Sequence, residues 1–221
     1  MDNNKTAVIL FSGGLDSATC LYWALKKGWK CTALNIDYGQ RHAKEKFFAE
    51  ALCKKLGVKF TAIKLDLPWL PGATSLVGCK KALPDEPLGK IKNAARLPST
   101  YVPARNLMFM AVAASLADSI GAAAIIAGPN AVDFSGYPDC RPQFYRPLAK
   151  AIQEGTRCNK IKILTPLIKL SKAQITKLAH ELGVPFAMTW TCYHGAKKPC
   201  GRCDACKLRA QGFKEAGLED K

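Results

Sequence analysis

The 221 residues can bury one sizeable core with a small appendage, and are too few for two full domains. With 48% hydrophobic and 23% charged residues the composition is that of a globular chain, which excludes a low-complexity protein. The formal net charge of +16 is spread over lysine pairs such as Lys26-Lys27, Lys54-Lys55, Lys80-Lys81 and Lys197-Lys198 rather than gathered in a block. It reads as a solvated basic surface or as an attraction for anionic ligands, RNA among them. No RNP-like or helix-turn-helix signature accompanies it, so nucleic acid is not the expected partner. The opening MDNNKTAVILF lacks a cationic stretch followed by a long apolar run, and the longest apolar run, residues 107–117, is too short to span a bilayer. A cytoplasmic protein with no membrane partner is expected.

Taken in chain order, strand-like runs alternate with helical ones, the pattern of an α/β protein with an open parallel sheet and helices on both faces. TAVILF, residues 6–11, is a buried strand, followed by a glycine turn and an apolar helix over 17–27 that Gly28 ends. A second strand spans 30–36. Over 42–56 Phe48, Ala51, Leu52 and Leu56 share a helix face, with Gly57 as its stop, and a third strand spans 59–65. Residues 66–103 are rich in Pro, Gly and Lys and have no clear period, so they read as an insertion or lid. Residues 105–120 are apolar nearly all round, a helix buried against the sheet or in an oligomer interface. AAIIA, 123–127, is a buried strand; a helix follows over 144–154 and a short strand over 162–164. The helix over 171–182 opens with a capping box, Ser171 and Gln174, and places Ile175, Leu178 and Leu182 on one face. One α/β domain therefore spans 1–221, ending in a metal-binding segment over about 190–221.

The turn after the first strand reads Ser12-Gly13-Gly14-Leu15-Asp16-Ser17. Glycines let the backbone turn tightly and approach a ligand, and the helix that follows offers unpaired N–H groups and partial positive charge to an anion. The hydroxyls of Ser12 and Ser17 add donors, while Asp16 needs a reason to stand beside phosphates: a helix cap, or a ligand to Mg²⁺. An ordinary capped turn is the plain alternative. The loop is neither a Walker A sequence nor a dinucleotide fingerprint. The whole hexapeptide, between a strand and a helix, resembles the PP-loop SGGxDS of the ATP pyrophosphatases, which are Rossmann-like folds of the adenine nucleotide alpha-hydrolase type. That resemblance implies ATP, cleaved between its α- and β-phosphates. Ligands of open α/β sheets lie at the strands' carboxyl ends, so residues 36–38 and 128–133 are expected to line the site as well.

Ten cysteines are present, of which Cys20, Cys31 and Cys53 fall in apolar segments and read as small core residues. Cys192, Cys200, Cys203 and Cys206 have the spacing C-x7-C-x2-C-x2-C, which lets four sulfurs meet one ion. Four thiolates with no open position point to a structural zinc. An iron–sulfur site of ferredoxin type would add a further Cys followed by Pro, which is missing, and a redox C-x-x-C would not use overlapping pairs.

Several segments run in one order over nearly the whole chain: FSGGLDSATCL (11–21), DYGQRH (37–42), STYVPARN (99–106), NAVDFSGYPDCR (130–141), TPL (165–167) and the cysteine cluster. Together they resemble the 7-cyano-7-deazaguanine synthase family of the queuosine (deazapurine) pathway. Ala104 stands where that family often has glycine and Phe134 where it often has tyrosine; residues 69–97 carry no recognisable motif. The resemblance implies a zinc-containing homodimeric ligase that converts 7-carboxy-7-deazaguanine, ammonia and ATP to the nitrile through adenylated acid and amide. It implies nucleotide contacts from Phe11, Ser12, Gly13, Gly14, Leu15, Asp16, Ser17, Ala18, Thr19, Cys20 and Leu21. Asp16, Ser17, Arg105 and Asp133 are the expected catalytic residues. Arg105, Asp133, Tyr137 and Arg141 are expected at the substrate, the arginines against carboxylate or pyrophosphate, Asp133 on the N–H edge of the ring, Tyr137 stacked on it. Each has a plainer role open to it: a cap or ion pair for Arg105, its own loop for Asp133, packing for Tyr137, and His42 reads equally as structural or catalytic. The rival readings are a PP-loop enzyme that thiolates tRNA, which would carry an RNA-binding appendage not visible here, and a zinc-bearing nucleic-acid module, which leaves SGGLDS without a purpose.

Overall fold

A computed structural model describes residues 5–41, 44–78, 81–92, 97–132 and 136–220. The chain runs β1 (Thr6–Leu10), α1 (Leu15–Lys26), β2 (Lys30–Asp37), α2 (Lys44–Leu56) and β3 (Lys59–Lys64). A short helix, α3 (Leu88–Lys92), precedes α4 (Arg105–Ser119), β4 (Ala124–Ile126), α5 (Pro142–Glu154), β5 (Lys162–Leu164), α6 (Lys172–Glu181) and α7 (Asp204–Ala216). The strands form one parallel sheet in the order β3-β2-β1-β4-β5. The sheet grows outward from β1 to β3, then the chain crosses back to lay β4 on the other side of β1. That reversal leaves a crevice at the carboxyl ends of β1 and β4, where ligands of such sheets bind.

The inner strands β1 and β4 are apolar on both faces because both are covered. Ala7, Ile9, Ala33 and Ile126 pack against Ala18, Leu21 and Ala24 of α1, Leu52 and Cys53 of α2, Ile175 of α6 and Phe213 of α7. Val8, Leu34, Ile36 and Ile125 pack on the opposite face against Met110, Ala113 and Ala117 of α4 and Tyr145 and Ile152 of α5. The nearly all-apolar α4 therefore buries its small residues on the sheet, while Leu107 remains exposed. Cys20, Cys31 and Cys53 are buried as small core residues.

One expectation needs correction. Helix α1 begins at Leu15 rather than at residue 17, which puts Asp16 and Ser17 inside its first turn. The C-terminal segment carries a full helix, α7, whose N-cap is Cys203 and whose first turn holds Cys206. The capping box of α6 is present, with Ser171 Oγ accepting from Gln174 N–H at 3.3 Å and Gln174 Oε1 accepting from Ser171 N–H at 2.9 Å.

The described residues of the segment over 66–103 pack on the domain. Leu70, Leu76 and Val77 are buried around Tyr38 and Val102. Arg41 donates to the carbonyls of Gly78 and Lys81. At the far end Lys207 meets Asp85 at 2.5 Å, and Glu86 N–H donates to Asp204 Oδ1 at 2.9 Å, so α7 holds the insertion down. No helix of the described residues is long and apolar enough to cross a membrane.

Candidate active site

A cleft of about 330 Å³ opens at the carboxyl ends of β1, β2 and β4. Its floor comes from Phe11, Ser12, Gly14, Leu15, Asp16 and Ser17, from Asn35, Ile36 and Tyr38 at the carboxyl end of β2, and from Ala127, Gly128 and Pro129 after β4. Arg105, Asn106 and Tyr137 form one wall, and Lys172, Trp190 and Arg209 another.

The loop after β1 is held open by its own hydroxyls. Gly13 N–H donates to Ser17 Oγ and Gly14 N–H to Ser12 Oγ, both at 3.2 Å; Ser17 Oγ donates to Gly14 O at 3.0 Å. Glycine is required at position 13, where φ is +93° and an added Cβ would stand 2.4 Å from Glu45 O. The N-cap Gly14 supplies no side-chain cap, so the first N–H groups of α1 are available to an anion. Ala18, Thr19, Cys20 and Leu21, also expected at the nucleotide, are instead 0% exposed. Ala18 N–H is already bonded to Gly14 O. Helical winding turns this second half of the segment to the core, and the cleft-facing part ends at Ser17.

Asp16 neither caps α1 nor stands alone. Its Oδ2 meets Lys172 Nζ at 2.5 Å and accepts from Asn130 Nδ2 at 3.0 Å, with both charged side chains about a quarter exposed. Lys172 was not among the expected site residues. It occupies the first turn of α6, where a cation opposes the helix dipole, and that placement is the sequence signal that it answers an anion elsewhere.

The other wall is built on α4. Half-buried Arg105 hydrogen-bonds the Tyr38 phenol; burial alone would lower the guanidinium's pKa, but Tyr38, Tyr137 and Cys140 raise it, so it stays cationic. Burial pushes the Tyr38 phenol up despite that neighbour, keeping it neutral. Tyr137 pairs with Thr100 Oγ1 at 2.7 Å and stacks on Tyr101 with ring centroids 6.3 Å apart. Asp139 Oδ2 accepts from Asn106 N–H at 2.9 Å and so fixes the start of α4. Arg105 enters the cleft from a strained turn, since its predecessor Ala104 has φ 52° and ψ 26°. Arg141 is exposed at the N-cap of α5 and is not a lining residue. Asp133 and His42 lie outside the described residues.

Asn35 was not anticipated either. It is 3% exposed, donates from Nδ2 to Phe11 O at 2.9 Å, and its Oδ1 has no hydrogen-bond partner among the described residues. Nothing in the sequence separates it from an ordinary polar strand residue.

The sulfurs of Cys192, Cys200, Cys203 and Cys206 all lie within 4.8 Å of one another, and those of Cys200 and Cys206 are 4.0 Å apart. Zn–S bonds of ~2.3 Å in a tetrahedron place sulfurs ~3.8 Å apart, so the cluster fits zinc. Cys200 N–H donates to Cys192 Sγ and Cys203 N–H to Cys200 Sγ, both at 3.3 Å, support that favours thiolates. A hydrogen bond from Cys206 holds the Cys203 thiol down at about 4. The cluster abuts the cleft through Trp190, which stacks on Phe48 at 5.5 Å.

Residues 6–217 match the family described as "Queuosine biosynthesis protein QueC". A 7-cyano-7-deazaguanine synthase of Acetivibrio thermocellus is 46% identical over 221 residues, covering 98% of this chain and 96% of that protein. One from Thermoplasma volcanium is 44% identical, covering 98% and 89%. Among solved structures, an NMN synthetase from Francisella tularensis superposes with a TM-score of 0.52 at 18% identity, covering 99% of this chain and 80% of that one, a likeness of fold alone.

Proposed function

The chain belongs to the QueC family of queuosine biosynthesis proteins, and from that premise we propose that it is a 7-cyano-7-deazaguanine synthase that spends ATP in two adenylations. The observation that carries the reading is that one cleft holds both the anion-ready loop at Ser12 to Ser17 and the Arg105–Tyr137 wall. The substrate carboxylate attacks the α-phosphorus of ATP, forming an acyl-adenylate and releasing pyrophosphate. Ammonia displaces AMP to give the amide and a proton. The amide oxygen then attacks the α-phosphorus of a second ATP, expelling a second pyrophosphate, and loss of AMP and a proton from that adduct leaves the nitrile.

The chain's own residues divide this work. The N–H groups at the start of α1 bind phosphate oxygens. Lys172 can turn from Asp16 to the departing pyrophosphate, neutralising charge where it develops. Arg105, kept cationic, faces the carboxylate, and Tyr137 offers a ring for stacking. Asp133 is the proposed partner of the ring's N–H edge. Mg²⁺ would accompany the triphosphate, with Asp16 as the carboxylate beside it, and zinc would hold the four cysteines together without entering the chemistry. A homodimer is also proposed, from family resemblance. Incubation with 7-carboxy-7-deazaguanine, ammonium and ATP, followed by mass analysis, tests the reading: a product of the nitrile's mass is expected, and unchanged acid would end it.

A further inference from the structure

We propose that Asn35 recognises the adenosine half of the nucleotide through its amide oxygen; the inference rests on the ATP reading above. Asn35 sits at the carboxyl end of β2, 3% exposed, and lines the cleft beside Phe11 and Ser12. Its orientation is fixed, because Phe11 O can only accept and so must face Nδ2, at 2.9 Å. Oδ1 therefore points the other way, and it has no partner among the described residues. Burying an amide acceptor without a donor is costly, and native interiors rarely do it without reason. A donor on a ligand supplies the reason.

The chemistry of the two ligands narrows which donor this is. The phosphates at the glycine loop are acceptors only. The acid substrate belongs with Arg105 and Tyr137, on the α4 side of the sheet. Side chains along β2 alternate: Leu34 and Ile36 join the α4 cluster, whereas Ala33 joins the α1 cluster. Asn35 shares Ala33's parity and so faces the side of the glycine loop. The donors that remain are the 6-amino group and the ribose hydroxyls of adenosine. A neutral acceptor at this point, adjoining the carbonyl that leads into the phosphate loop, distinguishes an amino-bearing base from an oxo-bearing one, or a ribose from a deoxyribose.

The test compares ATP, ITP, 2′-deoxy-ATP and 3′-deoxy-ATP in pyrophosphate release, at saturating acid and ammonium, for the wild type and for Asn35→Leu, which keeps the side chain's shape. The KM for ATP should rise about tenfold, the worth of one hydrogen bond to a ligand, while the KM for the acid stays put. The wild type's preference for ATP over one analogue should shrink by the same factor, and which analogue it is identifies the donor. Equal losses on all four nucleotides would overturn the inference, since Asn35 would then merely support Phe11. So would a rise confined to the KM for the acid. Asn35→Ala serves the same comparison if the leucine variant does not fold. A wild type that releases no pyrophosphate from ATP sinks the ATP reading and this inference together; a working wild type with unaltered nucleotide ratios in the variant sinks the inference alone.

Discussion

Trp190 donates its backbone N–H to Gly13 O at 3.0 Å and its indole N–H to Cys192 O at 2.9 Å. One residue thus joins the glycine loop to the cysteine cluster, far from it in sequence. The cluster braces the candidate site as well as helix α7.

The brace makes a prediction about metal. Elemental analysis should find about one zinc per chain in a colourless protein, because four thiolates at this spacing leave no open position. Stripping the zinc with a strong chelator should lower Tm and weaken ATP binding together, since metal binding contributes directly to folding free energy. Cys203→Ser should do the same. An iron-bearing brown protein would contradict the assignment, and an apoprotein that stays folded with full ATP affinity would break the link through Trp190.

The Asp16–Lys172 pair should behave as a unit. Lys172→Met or Asp16→Ala should each cost on the order of 10²–10³ in turnover, as for one preorganised contact to developing charge. The double variant should lose less than the product of the two single losses, because each partner positions the other and contacting residues are not additive. Full additivity in this cycle, measured as pyrophosphate release, would show two unrelated roles.

Ala104 sits in the left-handed region, which a side chain enters at a cost of about 1 kcal/mol or more. Ala104→Gly should therefore stabilise the protein by roughly 0.5–1 kcal/mol, after the extra freedom glycine gives the unfolded chain is discounted. Chemical denaturation should show a higher midpoint at unchanged m. A lower midpoint would mean the turn is not strained.

Much of this molecule was legible from local pattern. The strand–glycine–helix start, the capping box of Ser171 and Gln174 and the cysteine spacing each need only a few neighbouring residues to be read. What escaped depends on contacts between distant segments. Lys172 meets Asp16 across 156 positions, and no window of sequence joins them. Asn35 looks like any strand residue until Phe11 O fixes which way its amide turns. The segment over 66–103 has no period because its described residues pack around Tyr38, Arg41 and Lys207, which lie outside it. Helix α7 was hidden because Cys203 and Cys206, at its start, read as metal ligands rather than as helix residues.

A single phosphate loop serving both adenylations implies an exchangeable amide. Synthetic 7-amido-7-deazaguanine should be converted to the nitrile with ATP and without ammonia. If the amide stays inert while the acid still yields nitrile, the intermediate never leaves the site or does not form.

The nucleotide balance tests the central claim most directly. With acid, ammonium and ATP, the ratio of AMP and of pyrophosphate to nitrile should be two, because oxygen must be activated once in the acid and once in the amide. One AMP per nitrile, or ADP and phosphate as the nucleotide products, would contradict the account.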